Sequence, residues 1–277
     1  MAESIHQILF EYPEATVGIA VRDLDSGLSF DQNSERVFHA ASTMKVPVMI
    51  EVFRQIDLGR LSLADSIPVV NEFRSIVDGS SYSLDFGEDS DETPYGKIGR
   101  NVTIGLLVER MITMSSNLAT NILVDLLSAD SIQATIEGLG TRTMHVYRGV
   151  EDLKAFDLGL NNTATAEDFA VLLTTLARRE AVSEKLDTEM LDILSMQHHN
   201  SMIPAGLPEG MKVAHKTGGI TRIDHDVAIV YPVDKDPYVL VILIEGIDDH
   251  TRSSELGSKL TTVIHKIVVD SRLTQDG

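Results

Sequence analysis

Cysteine is absent from this 277-residue chain. The sequence therefore excludes disulfide bonds, catalysis by a thiolate and metal sites built on cysteine ligands. Hydrophobic residues nevertheless make up 43% of the chain, and a chain of this length can bury a full core. We expect a globular protein folded as one large domain or as two interlocked ones.

Positive charge is also scarce, because 23 lysine and arginine residues stand against 42 aspartate and glutamate residues. The formal charge of −19 would repel a phosphate backbone, so counterion release could not drive binding. Nucleic acid is therefore not expected as a partner. The acidic residues are scattered along the chain, which is typical of a charge that serves solubility or tolerance of salt.

Long apolar runs are missing as well. The chain has no stretch of 18 consecutive apolar residues, and residues 1–6 lack a basic segment followed by an apolar one. The chain as given predicts no membrane span and no export signal. A cytoplasmic location is the direct expectation, and a periplasmic or secreted one applies if a leader was removed beforehand. We expect a monomer.

The N-terminal part of the chain alternates between helical and strand patterns. Apolar residues at helical spacing predict a short first helix that stops at Pro13. Residues 16–21 and 28–30 predict two strands joined by a turn at 23–27, which together form a β-hairpin. A buried helix should follow over Ser42–Leu58.

Residues 71–101 differ in character, with a glycine-serine stretch at 79–81 and an acidic cluster between Asp85 and Glu92. They predict an exposed loop or insertion. The acidic residues lack the glycine at the sixth position and the glutamate at the twelfth that a calcium-binding loop requires. We therefore expect no metal here, and no cofactor is predicted for the chain as a whole.

Helical periodicity dominates the middle of the chain, and strand periodicity returns from residue 213. The predicted helices are 104–114, 117–127, 131–139, 166–178 and 183–197. A hairpin whose connection spans Pro232 to Pro237 and a last helix over about 251–269 follow.

This order predicts an α+β fold, in which an antiparallel sheet built from both ends of the chain is flanked by N- and C-terminal helices and carries an inserted all-helical domain. The expected domains are residues 1–41 together with 211–277, and residues 42–210.

Three short motifs at element boundaries suggest a chemistry, and in chain order they are Ser42-Thr43-Met44-Lys45, Ser115-Ser116-Asn117 and Lys216-Thr217-Gly218. A serine hydroxyl is a weak nucleophile until a base removes its proton, and a lysine three residues on lies on the same helix face. Lys45 is thus placed to activate Ser42. Taken alone, the first motif also fits a helix start at which Ser42 caps and Lys45 points to water, and the third fits a turn entering an edge strand.

The motifs follow the order found in penicillin-recognising serine enzymes, and the sequence resembles the superfamily of class A β-lactamases and penicillin-binding proteins. The resemblance spans essentially the whole chain. It extends to the opening hairpin, to residues 38–41 and 225–232, to Asn121 one helical turn after Asn117, and to the last strand and helix. It implies an α/β domain with an antiparallel sheet, an all-α domain, and an active site in the cleft between them.

The resemblance also implies roles in the reaction. Ser42 would attack a carbonyl carbon and become acylated, Lys45 would accept or relay its proton, and Ser115 would pass a proton to the departing nitrogen. The backbone amides of Ser42 and Gly219 are the candidate oxyanion hole.

Substrate binding would fall to other residues of the same motifs. Asn117 would hold the substrate's side-chain amide, whereas Lys216 and Thr217, next to Gly218, would bind its carboxylate. Two lysines in one cleft would also disfavour each other's charge and lower a lysine pKa.

Two departures from the family's pattern bear on the reaction. Ser116 stands where β-lactamases usually carry aspartate. Glu151, in the stretch Arg148–Phe156, is one residue out of register with the glutamate that activates the deacylating water in class A enzymes, and one residue moves a carboxylate by roughly 3.5 Å. Glu151 is either the hydrolytic base or a solvated loop acid, and without such a base the acyl-enzyme would persist.

Further charged residues near the motifs allow two interpretations each. Arg222 is either an additional counter-ion for the substrate carboxylate or a surface arginine beside two aspartates. The histidines at 198, 199, 215 and 225 lack a metal-ligand spacing. His215, next to Lys216, either lines the cleft or is a hydrogen-bonded structural histidine, and the structural role is the expected one.

The leading function is hydrolysis of a β-lactam amide through an acyl-enzyme on Ser42, with a β-lactam or a peptidoglycan-like peptide as the small-molecule substrate. Two alternatives stay open. One is a D-alanyl carboxypeptidase or esterase that is acylated by penicillin and releases it slowly, and the other is a non-catalytic module that binds cell-wall fragments.

Overall fold

The computed structural model describes residues 1–233 and 235–273. The α-helices in these residues are α1 (Ala2–Leu9), α2 (Lys45–Asp57), α3 (Ile104–Thr113), α4 (Asn117–Leu127), α5 (Ala129–Gly138), α6 (Leu153–Asp157), α7 (Ala166–Ala177), α8 (Glu184–Ser195) and α9 (His250–Leu273). The strands are β1 (Thr16–Asp23), β2 (Ser29–Gln32), β3 (Phe38–His39), β4 (Ser66–Pro68), β5 (Phe73–Arg74), β6 (Ser81–Tyr82), β7 (Asn101–Thr103), β8 (Thr163–Ala164), β9 (Lys212–Ile220), β10 (Ile223–Tyr231) and β11 (Tyr238–Glu245).

The main sheet is built from both ends of the chain, as the sequence predicts. Its strand order is β2-β1-β11-β10-β9, and every neighbouring pair is antiparallel. The hairpin of β1 and β2 and the pairing of β10 with β11 are both confirmed, although residue 234 of the predicted Pro232–Pro237 connection lies outside the described residues. Strand β9, which carries the third motif, lies at the edge of this sheet.

Both faces of the sheet are buried, and β11 shows why its sequence is apolar throughout. Val239, Val241 and Leu243 belong to the core shared with the helices between α2 and α8. The alternate residues Leu240 and Ile242 belong to a second core against α1 and α9. A strand covered on both sides reads as a continuous hydrophobic run rather than as an alternating one.

The expected architecture is therefore confirmed: helices from the two chain ends pack on one face of an antiparallel sheet, and a helical block packs on the other. The division into domains 1–41 with 211–277 and 42–210 stays a prediction, and its residues 234 and 274–277 lie outside the described residues. Within the described ranges, none of the helices is long and apolar enough to cross a membrane.

The predicted helix bounds agree with the structure where hydrophobic periodicity is long. The prediction 117–127 coincides with α4, and Thr165, which accepts a hydrogen bond from the backbone of Asp168, caps α7. The short helix α6 has no counterpart in the predictions, because its five residues are too few to show a period.

The prediction that residues 71–101 form an exposed loop or insertion is wrong in part. This segment contains the short paired strands β5 and β6, and it buries Phe73, Leu84 and Asp91. Asp91 forms a bidentate ion pair with Arg110 of α3, with both contacts at 2.6 Å. The segment is therefore packed against the helical block although its composition is acidic.

Candidate active site

Ser42 lies in a 3-10 turn, Ala41–Met44, that leads directly into α2 at Lys45. The expected α-helix from Ser42 is therefore wrong in its first three residues, where the chain winds more tightly. At about three residues per turn, positions 42 and 45 still share one face, and Lys45 Nζ donates to Ser42 Oγ at 2.9 Å. The side chain of Lys45 is fully buried, so the alternative in which it points to water is wrong.

The backbone immediately before Ser42 is bent into an unusual conformation. Ala41 has a φ of 46°, and its amide donates to His39 Nδ1 at 3.0 Å. A left-handed conformation costs a residue with a Cβ atom on the order of 1–2 kcal/mol, and such strain is common where a functional side chain must be aimed. The bend turns the chain from β3 into the 3-10 turn that carries Ser42.

Lys45 joins the first motif to the second. Its amine donates to the backbone oxygen of Ser115 at 2.7 Å and to Asn117 Oδ1 at 2.8 Å, and it lies 3.2 Å from Ser115 Oγ. Ser115 has a φ of 61°, and both its carbonyl and its hydroxyl meet this one amine. The start of α2 and the connection between α3 and α4 are thus held together by a single buried nitrogen.

The connection that carries Ser115 is fixed by capping interactions. Ser116 Oγ accepts from Ala119 N at 3.2 Å, and Asp89 accepts from the backbone amides of Asn117 and Leu118, each at 2.9 Å. Serine and aspartate are about equally good N-cap residues, so Ser116 serves in the place where an aspartate is usual. Asp89, which belongs to the acidic cluster of residues 85–92, therefore caps the N-terminus of α4.

Lys216 brings the third motif to the same point. Its Nζ donates to Ser115 Oγ at 3.1 Å and to the backbone oxygen of Thr217 at 2.7 Å. The Ser115 hydroxyl therefore lies between the amines of Lys45 and Lys216. All three motifs, which are separated by up to 174 positions along the chain (from 42 to 216), converge on one group of side chains.

Burial is the main cause of the lowered pKa values of the two lysines in this group. It lowers the pKa of Lys45 to about 7, although the nearby carboxylates of Asp89 and Glu151 act in the opposite direction. Burial also lowers the pKa of Lys216 well below its ordinary value, and the charge of Lys45 lowers it further, while Asp226 raises it. The expected repulsion between the two lysines is present for Lys216, but desolvation is the larger effect.

Glu151 reaches this group through Asn117. Asn117 Nδ2 donates to Glu151 Oε1 at 2.8 Å while its Oδ1 accepts from Lys45, so the amide lies between the amine and the carboxylate. Burial raises the pKa of Glu151, and the hydrogen bond from Asn117 opposes this shift. Glu151 is thus not simply a solvated loop acid, and its φ of 62° marks the bend by which the out-of-register loop still brings it here.

The loop that carries Glu151 is held from both sides. Asn121 donates to the backbone oxygen of Val150 at 2.9 Å and accepts from its amide at 2.6 Å. On the other side, the carboxylate of Asp152 accepts from Ser75 Oγ and from Ile76 N, each at 2.9 Å. Segment 71–101 therefore supports the loop, and Asn121 has a clear structural function.

A cleft of about 280 Å³ opens beside this group, and its wall includes Ser42, Ser115, Thr217, Gly218 and Gly219. Glycine is required at position 218 because a Cβ atom there would lie 3.0 Å from Ser42 N and 2.9 Å from Thr43 N. The edge strand β9 thus passes unusually close to the 3-10 turn. This approach brings the backbone around Gly219 and that of Ser42 to the same cleft.

Arg222 neither lines the cleft nor contacts the group of side chains around Lys45. Its guanidinium lies 3.0 Å from Asp248 Oδ1 and donates to the backbone oxygen of Gly246 at 3.0 Å. The residue sits in the turn between β9 and β10, where its side chain is 56% exposed. The interpretation as a substrate counter-ion is therefore wrong for this conformation, and Asp248 rather than Asp224 or Asp226 is its partner.

The buried histidines have structural partners. His215 is hydrogen-bonded to Asp226 Oδ1 at 2.8 Å and to Asn200 Oδ1 at 3.1 Å, as expected for a structural histidine. His225 contacts the backbone oxygen of His39 at 2.9 Å, and burial lowers its pKa to about 4. No group of side chains in residues 1–233 and 235–273 is arranged to hold a metal ion.

Sequence reasoning missed several residues of the cleft wall, among them Ser90, Asp224 and His250, and it considered His199 only as a metal ligand. Asp224 and His250 are hydrogen-bonded to each other, with Nδ1 at 2.9 Å and 3.0 Å from the two carboxylate oxygens. They lie 26 positions apart on different elements, so no local motif joins them.

Comparisons with known proteins identify the family to which the chain belongs. The family model described as the beta-lactamase enzyme family matches residues 1–268. A β-lactamase of Rhodobacter capsulatus is 25% identical over 245 residues, which cover 84% of this chain and 76% of that protein. The β-lactamase ROB-1 of Haemophilus influenzae is 28% identical over 235 residues, which cover 83% and 72%.

Solved structures resemble the whole chain. A β-lactamase from Sphaerobacter thermophilus superposes with a TM-score of 0.80 at 26% identity and 96% coverage of both chains. The structure of PBP-A superposes with a TM-score of 0.83 at 26% identity, covering 98% of this chain and 97% of that one. A variant of PBP-A was solved as an acyl-enzyme complex with penicillin G.

Proposed function

Because the chain belongs to the beta-lactamase enzyme family, with a class A β-lactamase fold, we propose that it is a serine hydrolase that opens β-lactam amides through an acyl-enzyme on Ser42. The observation that carries the proposal is the 2.9 Å contact between Ser42 Oγ and Lys45 Nζ, together with a Lys45 pKa of about 7. A neutral amine at hydrogen-bond distance is what a serine nucleophile needs.

Acylation follows from these groups. Neutral Lys45 takes the proton of Ser42 as Oγ attacks the carbonyl carbon, and the backbone amides of Ser42 and Gly219 stabilise the oxyanion that forms. Each well-placed amide would contribute about 3 to 4 kcal/mol. The carbon–nitrogen bond then breaks, and Ser115 Oγ passes a proton to the nitrogen. Ser115 is suited to this step because it contacts Lys45 and Lys216, which can return a proton to it.

Substrate binding uses the other groups of the three motifs. Lys216 and Thr217 would receive the carboxylate of the substrate, and Asn117 would hold the amide of its side chain. In this structure one hydrogen of Asn117 Nδ2 is directed at Glu151, so the second amide hydrogen is the one available to a ligand.

Deacylation requires a water molecule and a base. Glu151 is the candidate, because burial raises its pKa and so makes it a better proton acceptor than an ordinary glutamate. It takes a proton from water as the water oxygen attacks the ester carbonyl carbon. The bond between that carbon and Ser42 Oγ then breaks, and the proton held by Glu151 returns to Ser42 Oγ by way of Lys45.

The test is a time course with a chromogenic cephalosporin, followed by absorbance and by intact mass. We expect catalytic turnover, complete loss of turnover and of acylation in Ser42→Ala, and full activity in Ser90→Ala, which removes an exposed hydroxyl from the wall of the same cleft. Circular dichroism establishes that both variants are folded. Unchanged activity in Ser42→Ala would refute the assignment of the nucleophile.

A second candidate function is a penicillin-binding enzyme that is acylated but releases its product slowly. The one-residue displacement of Glu151 and its engagement with Asn117 favour it, as does the overall similarity to PBP-A. It predicts a burst of product equal to the amount of enzyme and a stable mass increase, without subsequent turnover.

A further inference from the structure

Asp224 and His250 line the cleft without taking part in the proposed reaction. Asp224 faces Gly219 across the pairing of β10 with β9, and a Cβ atom at Gly219 would lie 3.5 Å from Asp224 Oδ1. His250, the first residue of α9, contacts both oxygens of this carboxylate, at 2.9 Å and 3.0 Å. The side chain of Asp224 is only 14% exposed, whereas that of His250 is 57% exposed and reaches into the opening.

A groove of about 560 Å³ along α9 adjoins the cleft at His250. The two spaces share Ser201, His250 and Ser254, and the groove runs on to Ser258 and Lys259. Its volume is within the range of small-molecule sites, which is about 300–1,000 Å³. A substrate bound at Ser42 would thus lie beside this groove, with Ser201, His250 and Ser254 between the two spaces.

A site that binds a carboxylate usually carries positive charge, whereas the entrance of this groove carries the acidic side chain of Asp224. While the carboxyl of Asp224 is ionised, the pair of Asp224 and His250 carries a net charge of −1 when the imidazole is neutral and zero when it is protonated. Arg222 is turned away to Asp248. The remaining ionisable groups of the groove wall are Glu255 and Lys259, and Lys259 contacts Glu11 Oε2 at 3.2 Å.

We propose that this groove receives the leaving portion of the substrate, which is the part attached to the nitrogen of the broken amide bond. Asp224 and His250 would make the groove prefer leaving portions that carry a positive charge. The inference rests on the proposed function. In a β-lactam the carboxylate is attached beside the lactam nitrogen, so binding of that carboxylate at Thr217 directs the rest of the leaving portion toward Gly219, Asp224 and the groove. An ammonium or other cation there would meet a partly buried carboxylate.

The test uses two cephalosporins that differ only in one substituent, a trimethylammonium group and its uncharged tert-butyl isostere, each attached to the leaving portion by a carbon linker. At about pH 8 the wild-type protein should have a kcat/KM about fivefold higher for the cationic compound, which is the effect of a partly exposed charge pair. Asp224→Asn should bring the ratio close to one. The matched control is Asp57→Asn, which removes an exposed acid at the opposite end of α2 from the active site and should keep the ratio.

A ratio near or below one in the wild-type protein, or an unchanged ratio in Asp224→Asn, would overturn the proposal. Salt provides a measurement that does not depend on the variant: at an ionic strength of about 1 M the Debye length falls to about 3 Å, and the wild-type ratio should fall toward one. A ratio that is insensitive to salt contradicts a charge effect.

Binding to Ser42→Ala separates this inference from the proposed function, because it needs no chemistry. Tighter binding of the cationic compound by Ser42→Ala, abolished by Asp224→Asn in the same background, supports the groove even if neither compound is hydrolysed. Equal binding of the two compounds refutes it, whether or not they are hydrolysed by the wild-type protein.

Discussion

Replacing Lys45 by arginine separates the charge of this side chain from its ability to take a proton. Arginine keeps a positive charge and hydrogen-bond donors but does not lose its proton in proteins, whereas Lys45 has a pKa of about 7 because it is buried. At pH 7 about half of the Lys45 side chains are neutral, compared with fewer than about one in a thousand for a lysine of ordinary pKa. Burial thus increases the population of active base on the order of a thousandfold. We expect Lys45→Arg to slow acylation by at least this factor, or about 4 kcal/mol in activation free energy.

The assay is the rate of acylation by a chromogenic cephalosporin, measured by stopped flow and checked by intact mass, between about pH 5 and about pH 9. Since the neutral amine is the active form, the wild-type rate should rise tenfold per pH unit below about pH 7 and level off above it. The residual rate of Lys45→Arg should not show this rise. A variant within about tenfold of wild type, or a flat wild-type profile, would refute the role of Lys45 as the base.

Glu151→Gln identifies the group responsible for the rise, because Glu151 is also a titrating group of this site. The carboxylate of Glu151 raises the pKa of Lys45, so its removal should lower that pKa and move the rise in acylation to lower pH. If the rise came from Glu151 itself, it would disappear in this variant instead. A shift of the rise to lower pH therefore assigns it to Lys45, whereas its disappearance assigns it to Glu151.

Three further predictions concern single residues. If Glu151 is the hydrolytic base, Glu151→Gln should accumulate an acylated protein by intact mass, and normal turnover in this variant would exclude that role. The pKa of His225 is lowered from 6.5 to about 4, so the unfolded chain takes up the proton first and this histidine alone should reduce the free energy of unfolding by about 3 kcal/mol as the pH drops through this interval. Burial also lowers the pKa of His39, His199 and His265, so urea titrations should show a smaller loss in His225→Gln than in wild type, and an equal loss would contradict the assignment. Arg222→Ala should keep kcat/KM within about twofold of wild type, because the guanidinium contacts Asp248, and a tenfold loss for anionic substrates would contradict the assignment.

The fold follows from the sequence wherever a periodic pattern is long enough to define an element. The run from Tyr238 to Ile244 predicts one strand of a hairpin, and the structure has this strand as β11. The tight 3-10 turn at Ala41–Met44 and the short helix α6 depend on tertiary contacts, such as the hydrogen bond from Ala41 N to His39. The polar composition of segment 71–101 predicts an exposed loop, but a few buried apolar side chains and Asp91 pack it against the rest of the protein.

The candidate site is predictable to the extent that its residues lie in local motifs. Ser42, Lys45, Ser115 and Lys216 each belong to a short signature, and they meet within hydrogen-bond distance. Asp89 and the pair of Asp224 with His250 carry no such signature, because their partners are distant in sequence. The polarity of a cleft is therefore less predictable than the identity of its nucleophile.

The position of Glu151 links acylation to deacylation through opposite effects of one charge. As a carboxylate it raises the pKa of Lys45 and so reduces the neutral amine available for acylation at low pH. The same carboxylate is the candidate base for the second step. Removing the carboxylate should therefore speed acylation below about pH 7 and slow hydrolysis of the acyl-enzyme. At the same low pH, Glu151→Gln should form its acyl-enzyme faster than wild type does. Slower acylation of Glu151→Gln under these conditions would mean that Glu151 assists the first step directly.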